Sequence, residues 1–232
     1  MMQPQQLPSL EFSDKYDEAH ARAYFEKHEF EFWRRLSNWR DQQIARKALK
    51  LAGNPQSVLD VPCGTGRFWD VLAEDRQRVI HACDYNQTMI DTGLQFRPKE
   101  ITQRLQTFQA SAFDLPVPDG FVDNIFCIRF VHHLGSSADR LQLLREFHRV
   151  SRDTVIVSLW VDGNLKARRR KMLDAGRGQS RAYQNRFVIP TATIEAEFAA
   201  AGFKVLGRLD FLKYYHMWRT YVLRKTEHVE GV

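Results

Sequence analysis

Five short apolar runs punctuate the middle of the chain: Ser57–Val61, Val79–Cys83, Leu105–Ala110, Val122–Ile128 and Thr154–Leu159. They are short and lack a steady apolar/polar alternation, Val122–Ile128 being nearly all apolar, the mark of strands buried on both faces of a parallel sheet. Between them the apolar positions take helical spacing, predicting helices over about Arg67–Glu74, from an Asn86 cap through Leu94, and over Ser137–Val150. Asn is a favoured N-cap because its side-chain oxygen accepts from the first free backbone N–H groups. Thr191–Ala201 predicts a further helix stopped at Gly202, followed by strands near Phe203–Leu209 and Tyr214–Leu223 that are close enough to form a hairpin. The pattern predicts an α/β fold: a doubly wound, seven-stranded, mostly parallel sheet with an antiparallel edge hairpin strand. Residues 14–52 read as two aromatic-rich helices, stopped by Gly53-Asn54-Pro55. This divides the chain into an N-terminal helical addition or lid (1–54) and a main domain (55–232).

The first strand runs into Asp60-Val61-Pro62-Cys63-Gly64-Thr65-Gly66, and a helix follows. Two glycines let the backbone turn sharply and approach a ligand that a Cβ would hold off. Asp84 ends the next strand, so both features fall on the carboxyl edge of the sheet, where doubly wound folds bind ligands. A carboxylate there can accept from both hydroxyls of a ribose. A dinucleotide site calls for a third glycine to seat a pyrophosphate on the helix N-terminus. Trp69 occupies that place and looks too bulky for close helix–strand packing. S-adenosylmethionine (SAM) carries no phosphate and does not need it.

The stretch Val58–Gly66 resembles the first motif of class I SAM-dependent methyltransferases, which are Rossmann-like, and Cys83-Asp84-Tyr85-Asn86 resembles their acidic second motif. Ala110–Pro116 is similar to the adenine-side motif, Phe121–Leu134 to the fourth strand and its loop, and Glu197–Phe203 to a late helix ending in Ala-Gly-Phe. The resemblance implies SAM as cofactor. It implies that Asp60 orients the loop, that Gly64, Thr65 and Gly66 pass beneath the methionine part, and that Asp84 holds the ribose. Tyr85 and Met89 would flank the adenine, with Ala112 and Phe113 closing its other side. Two positions depart from the pattern. Pro62 stands where glycine is frequent and fixes one backbone angle. Ser111 stands where an acid commonly receives the adenine amine, which implies looser adenine recognition.

Methyl transfer asks a protein to align the acceptor, exclude water and, for an oxygen acceptor, help remove a proton. His132 and His133 follow the fourth strand and are the candidate bases, with packing as the alternative; a histidine of ordinary pKa suits that task near neutrality. Arg129 ends the same strand and is a candidate for the cofactor's carboxylate or an anionic acceptor, with a surface salt bridge as the equal alternative. Cys63, Cys83 and Cys127 sit in apolar or loop settings, unlike a reactive thiolate. The sequence after the fourth strand, Cys-Ile-Arg-Phe, gives no Asn-Pro-Pro-Tyr or Asp-Pro-Pro-Tyr motif, which removes most support for exocyclic amine or glutamine amide methylation.

Charge adds one element. Residues 161–190 carry eight basic residues against Asp162 and Asp174, a balance of +6 that equals the net charge of the whole chain. Such a segment reads as a solvated charged loop or as a clamp for phosphate or carboxylate, with Arg168, Arg169 and Arg170 as its candidate substrate-binding residues. The expected partner is a small-molecule, glycan or lipid acceptor. RNA fits less well, because only Tyr183 and Phe187 lie among the basic residues. A non-catalytic SAM-binding sensor is the rival class. Three cysteines, no apolar leader and no run near ~20 apolar residues predict a cytoplasmic protein with no membrane span and no metal site.

Overall fold

The computed structural model describes residues 32–176 and 186–226. Its strands are β1 (Ser57–Asp60), β2 (Val79–Asp84), β3 (Leu105–Gln109), β4 (Val122–Cys127), β5 (Ser151–Val161), β6 (Val188–Ile189), β7 (Phe203–Asp210) and β8 (Trp218–Lys225). They form one sheet in the order β3-β2-β1-β4-β5-β8-β7. The first five pair in parallel, and β8 runs antiparallel to both β5 and β7. The expected doubly wound sheet is therefore present, with two corrections. The antiparallel strand β8 lies one place inside the edge, and a short β6 makes eight strands where seven were expected. Two residues are too few to show a period of their own. Since β8 takes one flank of Trp160, β6 takes the other, beyond the end of β4.

Strand side chains alternate between faces, and the two faces have separate cores. On one, Ala45, Ala48 and Leu49 of α1 (Phe32–Leu51) pack with Val58, Ile80 and Phe126, joined by α2 (Trp69–Ala73) and α3 (Gln87–Phe96). A small turn of helix, α4 (Lys99–Thr102), leads into β3. On the other face, Leu143 and Phe147 of α5 (Ser137–Val150) meet Leu59, Ile125 and Val155, while Ile194 and Phe198 come from α7 (Thr191–Ala200). Fully burying one such side chain contributes about 1.5–3 kcal/mol. Asn86 caps α3 as expected, its Oδ1 accepting from Thr88 N at 2.9 Å. Arg140 of α5 grips Glu197 of α7 in a buried two-pronged ion pair (2.6 and 2.7 Å) and also donates to the carbonyls of Leu134 and Gly135. It thereby fixes the loop that leaves β4.

The basic segment does not form a loop at its start. Leu165–Gly176 is helix α6. Asn164 caps it, accepting from Ala167 N at 2.9 Å, and the carbonyls of Tyr214 and Tyr215 take the N–H groups of Leu165 and Lys166. Of the two helices expected over 14–52, the described residues hold α1; Tyr16 lies outside them. Trp39, one of the aromatics of the expected N-terminal helices, points to solvent at 56% exposure. Among the described residues, no helix is long and apolar enough to cross a membrane.

Candidate functional site

The turn after β1 is tied to both neighbouring strands, Val61 N donating to Phe126 O and Cys63 N to Cys83 O. The Val61–Pro62 bond is cis. Gly64 and Gly66 have φ of +54° and +69°, a region that disfavours side chains. Gly64 N donates to Asp84 Oδ2 at 2.8 Å, and Asn86 N donates to Asp84 Oδ1 at 3.0 Å. Asp84 therefore clamps the loop to the end of β2. The Met89 methyl lies 3.7 Å from where a Cβ on Gly64 would stand. Thr65 is buried, and its carbonyl accepts from Arg97 Nε.

Trp69 is accommodated by missing side chains. A Cβ on Gly66 would come within 2.3 Å of its ring, and one on Gly93 within 2.7 Å. The indole fills the space between loop and α3 with no exposure. The bulk expected to prevent close packing instead creates it.

Around the ends of β2 and β3, Ala112 and Phe113 are buried and Tyr85 is half exposed. Ser111 Oγ accepts from Phe113 N at 3.3 Å, so the hydroxyl is used in shaping its own turn. Asp60 is buried; among the described residues its Oδ2 accepts no well-formed hydrogen bond, although the Trp69 indole N–H lies close enough to lower its pKa. Burial, and then the neighbouring Asp84, hold the Asp60 carboxyl well above the usual range. Burial also raises Asp84, against hydrogen bonds from Asn86 and Gly64. The three cysteines are free and buried: burial pushes Cys83 up to about 12 and raises Cys63 and Cys127 well above ordinary thiols.

Past the end of β4, Arg129 adopts φ of +63°, a strained setting for a side-chain-bearing residue, held by its N–H donating to Ser158 Oγ at 2.8 Å. Its guanidinium lies 4.5 Å from the Trp218 ring and pairs with Asp41 of α1 at 2.5 Å. Arg67, directly after the glycine loop, pairs with the same Asp41 oxygen and reaches Asn38. A cavity opens beside this bridge, lined by Asp41, Phe68, Ile128, Arg129, Phe211 and Trp218 among others. His132 is buried between Trp160 (5.2 Å between ring centres), Trp218 (4.7 Å) and His133 (4.0 Å). Burial, aided by His133 and by Arg186, Arg129 and Arg170, pushes the His132 pKa far down, so its ring is neutral. His133 is half-buried. Of the three candidate arginines, Arg170 turns inward over Trp160, while Arg168 and Arg169 are exposed.

Sequence reasoning missed Asp41, Trp160 and Trp218. Each lies far along the chain from the groups it meets, and no local motif marks it.

Residues 59–158 match the family described as "Methyltransferase domain". A Mycobacterium tuberculosis protein named "Probable S-adenosylmethionine-dependent methyltransferase Rv3030" is 30% identical over 114 residues, 49% of this chain and 38% of that one. The tRNA U34 carboxymethyltransferase of Shewanella piezotolerans is 29% identical over 133 residues, 57% of this chain and 39% of that one. The chain thus spans about two-fifths of the length of these relatives. Among solved structures, the SAH-bound magnesium protoporphyrin IX methyltransferase of Synechocystis superposes with a TM-score of 0.68 at 15% identity, over 90% of this chain and all of that one. A SAM-dependent methyltransferase from Aquifex aeolicus gives 0.61 at 18% identity, over 91% and 100%. At such identities the likeness concerns the fold.

Proposed function

Because residues 59–158 match a methyltransferase-domain family, we propose that the chain is a class I, SAM-dependent methyltransferase that transfers a methyl group to an oxygen of a small or medium-sized anionic acceptor, such as a phosphorylated sugar or lipid head group. The observation that carries the cofactor half is Asp60 Oδ2, buried beside a two-glycine turn with no well-formed hydrogen bond among the described residues. An unpaired buried carboxylate oxygen is costly, and the ammonium group of SAM's methionine part fits that need. Asp84 would receive the ribose hydroxyls, with Met89, Ala112 and Phe113 around the adenine and Tyr85 at its exposed rim. Bound there, SAM supplies a sulfonium methyl, already a good electrophile.

The protein's own work is then placement and proton handling. Phe68, Ile128, Phe211 and Trp218 line a small cavity of about 10 Å³, room for little more than one water, so an acceptor entering there would have to part these side chains. His133 is the base in this reading, taking the acceptor's hydroxyl proton on an imidazole nitrogen. His132, kept neutral by burial, instead orients its neighbour and the ligand. Tritium from methyl-labelled SAM should appear in small-molecule or lipid fractions of a cell extract. Protein that binds SAH yet labels no fraction would support a non-catalytic sensor.

A second reading, transfer to RNA, draws on exposed Tyr214 and Tyr215, which carry Lys213 and Lys166 over their rings at 4.9 and 5.4 Å. Stacking surfaces beside cations suit single-stranded nucleic acid, and a relative is named for tRNA. Label entering the RNA fraction first would favour it.

A further inference from the structure

The carboxyl end of β5 concentrates more positive charge than holding SAM requires. The Arg170 and Arg186 guanidiniums lie 5.0 and 6.0 Å from the Trp160 ring centre. Arg170 Nη2 donates to the Arg186 carbonyl at 2.9 Å, which keeps the two residues side by side. Arg129 stands nearby over Trp218, and the acid that meets it, Asp41, is shared with Arg67. All three arginines, 129, 170 and 186, act electrostatically on His132.

Two buried nitrogens face the same cluster of rings without a hydrogen-bond partner among the described residues: Trp160 Nε1 and His132 Nδ1, on residues 6% and 3% exposed. Leaving a buried polar group unpaired is destabilising. A ligand oxygen that accepted from both would recover that cost. The scaffold around them is fixed. Phe187 N donates to His132 O at 2.7 Å, and the Phe187 ring fills the space left by Gly135, where a Cβ would come within 2.7 Å. Arg186 is thereby anchored beside the histidine loop, and β6 follows directly.

We infer that this cluster is a phosphate subsite, in which Arg170 and Arg186 grip a dianionic phosphate monoester while Trp160 Nε1–H and His132 Nδ1–H donate to its oxygens. Two guanidiniums match two negative charges, and Arg forks suit phosphate geometry. The subsite shares Trp218 with the acceptor cavity, so it deepens the methyltransferase reading: it rests on that reading for which molecule carries the phosphate. Arg168 and Arg169 play no part in it.

The test follows the Trp160 indole N–H in 15N–1H spectra of the SAH-saturated protein, assigned with Trp160→Phe. Inorganic phosphate is titrated at constant ionic strength, then acetate. The Trp160 signal should shift saturably with phosphate, and roughly tenfold more phosphate should be needed in Arg170→Gln or Arg186→Gln, the scale of one charge-assisted hydrogen bond. Acetate should bind at least as weakly as phosphate binds those variants. Retained SAH affinity in the variants shows that they are folded. An unmoved Trp160 signal, an equal response to acetate, or unchanged titrations in both variants would each overturn the subsite. A wild-type protein that shifts with phosphate but ignores SAH would overturn the methyltransferase reading and leave the subsite standing.

Discussion

At the β1–β2 end of the sheet edge, Asp84 reaches Gly64 across 20 residues of chain; at the β4–β5–β8 end, Arg129 reaches Asp41 across 88. The first end is held by backbone groups meeting one carboxylate, with glycines where a side chain would obstruct. The second is held by side chains meeting side chains: two arginines on one aspartate, and two tryptophans around a neutral histidine. Backbone cradles are written in short motifs because their geometry is local. A side-chain cluster gathered from α1, the β4 loop, β5 and β8 has no such signature and can change without disturbing the cradle. This separation accounts for one cofactor reading and several open acceptors.

If the two ends are built so differently, they should break differently. The largest effect is expected for Asp41→Ala, which leaves Arg67 and Arg129 facing each other largely buried; losing one partner of a buried ion pair costs about 3–5 kcal/mol. Urea unfolding should read that loss, and a change below about 1 kcal/mol would mean that α1 is not anchored through Asp41. Gly66→Ala comes next, at about 2–4 kcal/mol, combining a left-handed φ with overlap on Trp69. Adding Trp69→Leu should recover the overlap part but not the strain, and full recovery would show that φ there is harmless. Asp84→Ala should weaken SAH binding by about 1–3 kcal/mol in calorimetry, whereas Arg168→Gln with Arg169→Gln should leave it unchanged. Equal losses would erase the distinction between the ends.

The smallest effect is on pH. His132 is buried and neutral, and half-buried His216 is pulled down to about 4 by desolvation and then by Lys166 and Arg129. Their folded values lie below the unfolded one of about 6.5, so the unfolded chain binds more protons in acid. Stability should therefore be fully present above pH 6.5 and fall below it, by up to about 1.4 kcal/mol per pH unit for each histidine. His132→Gln should flatten part of that slope; an unchanged slope would mean that His132 is protonated in the fold.

Much of the fold is legible where local rules suffice. The bounds of α5, the Asn86 cap and the five parallel strands follow from periodicity and capping alone. The basic helix α6 was hidden because its run of like charges resembles a loop; its Asn164 cap was the available signal, while the carbonyls that complete the cap come from Tyr214 and Tyr215, about 50 residues on. Trp69 was misjudged for a related reason. The glycine that makes room for it beside Gly66 is Gly93, on another helix. The cofactor candidates from Asp60 to Phe113 gather along one sheet edge, whereas Arg168 and Arg169 turn away from the aromatic cluster that Arg170 joins.

Calorimetric titration of the purified protein with SAH, and separately with NADH, bears most directly on the nucleoside cradle. One SAH per chain with no heat from NADH is the predicted outcome. Binding of NADH by a protein indifferent to SAH would contradict it.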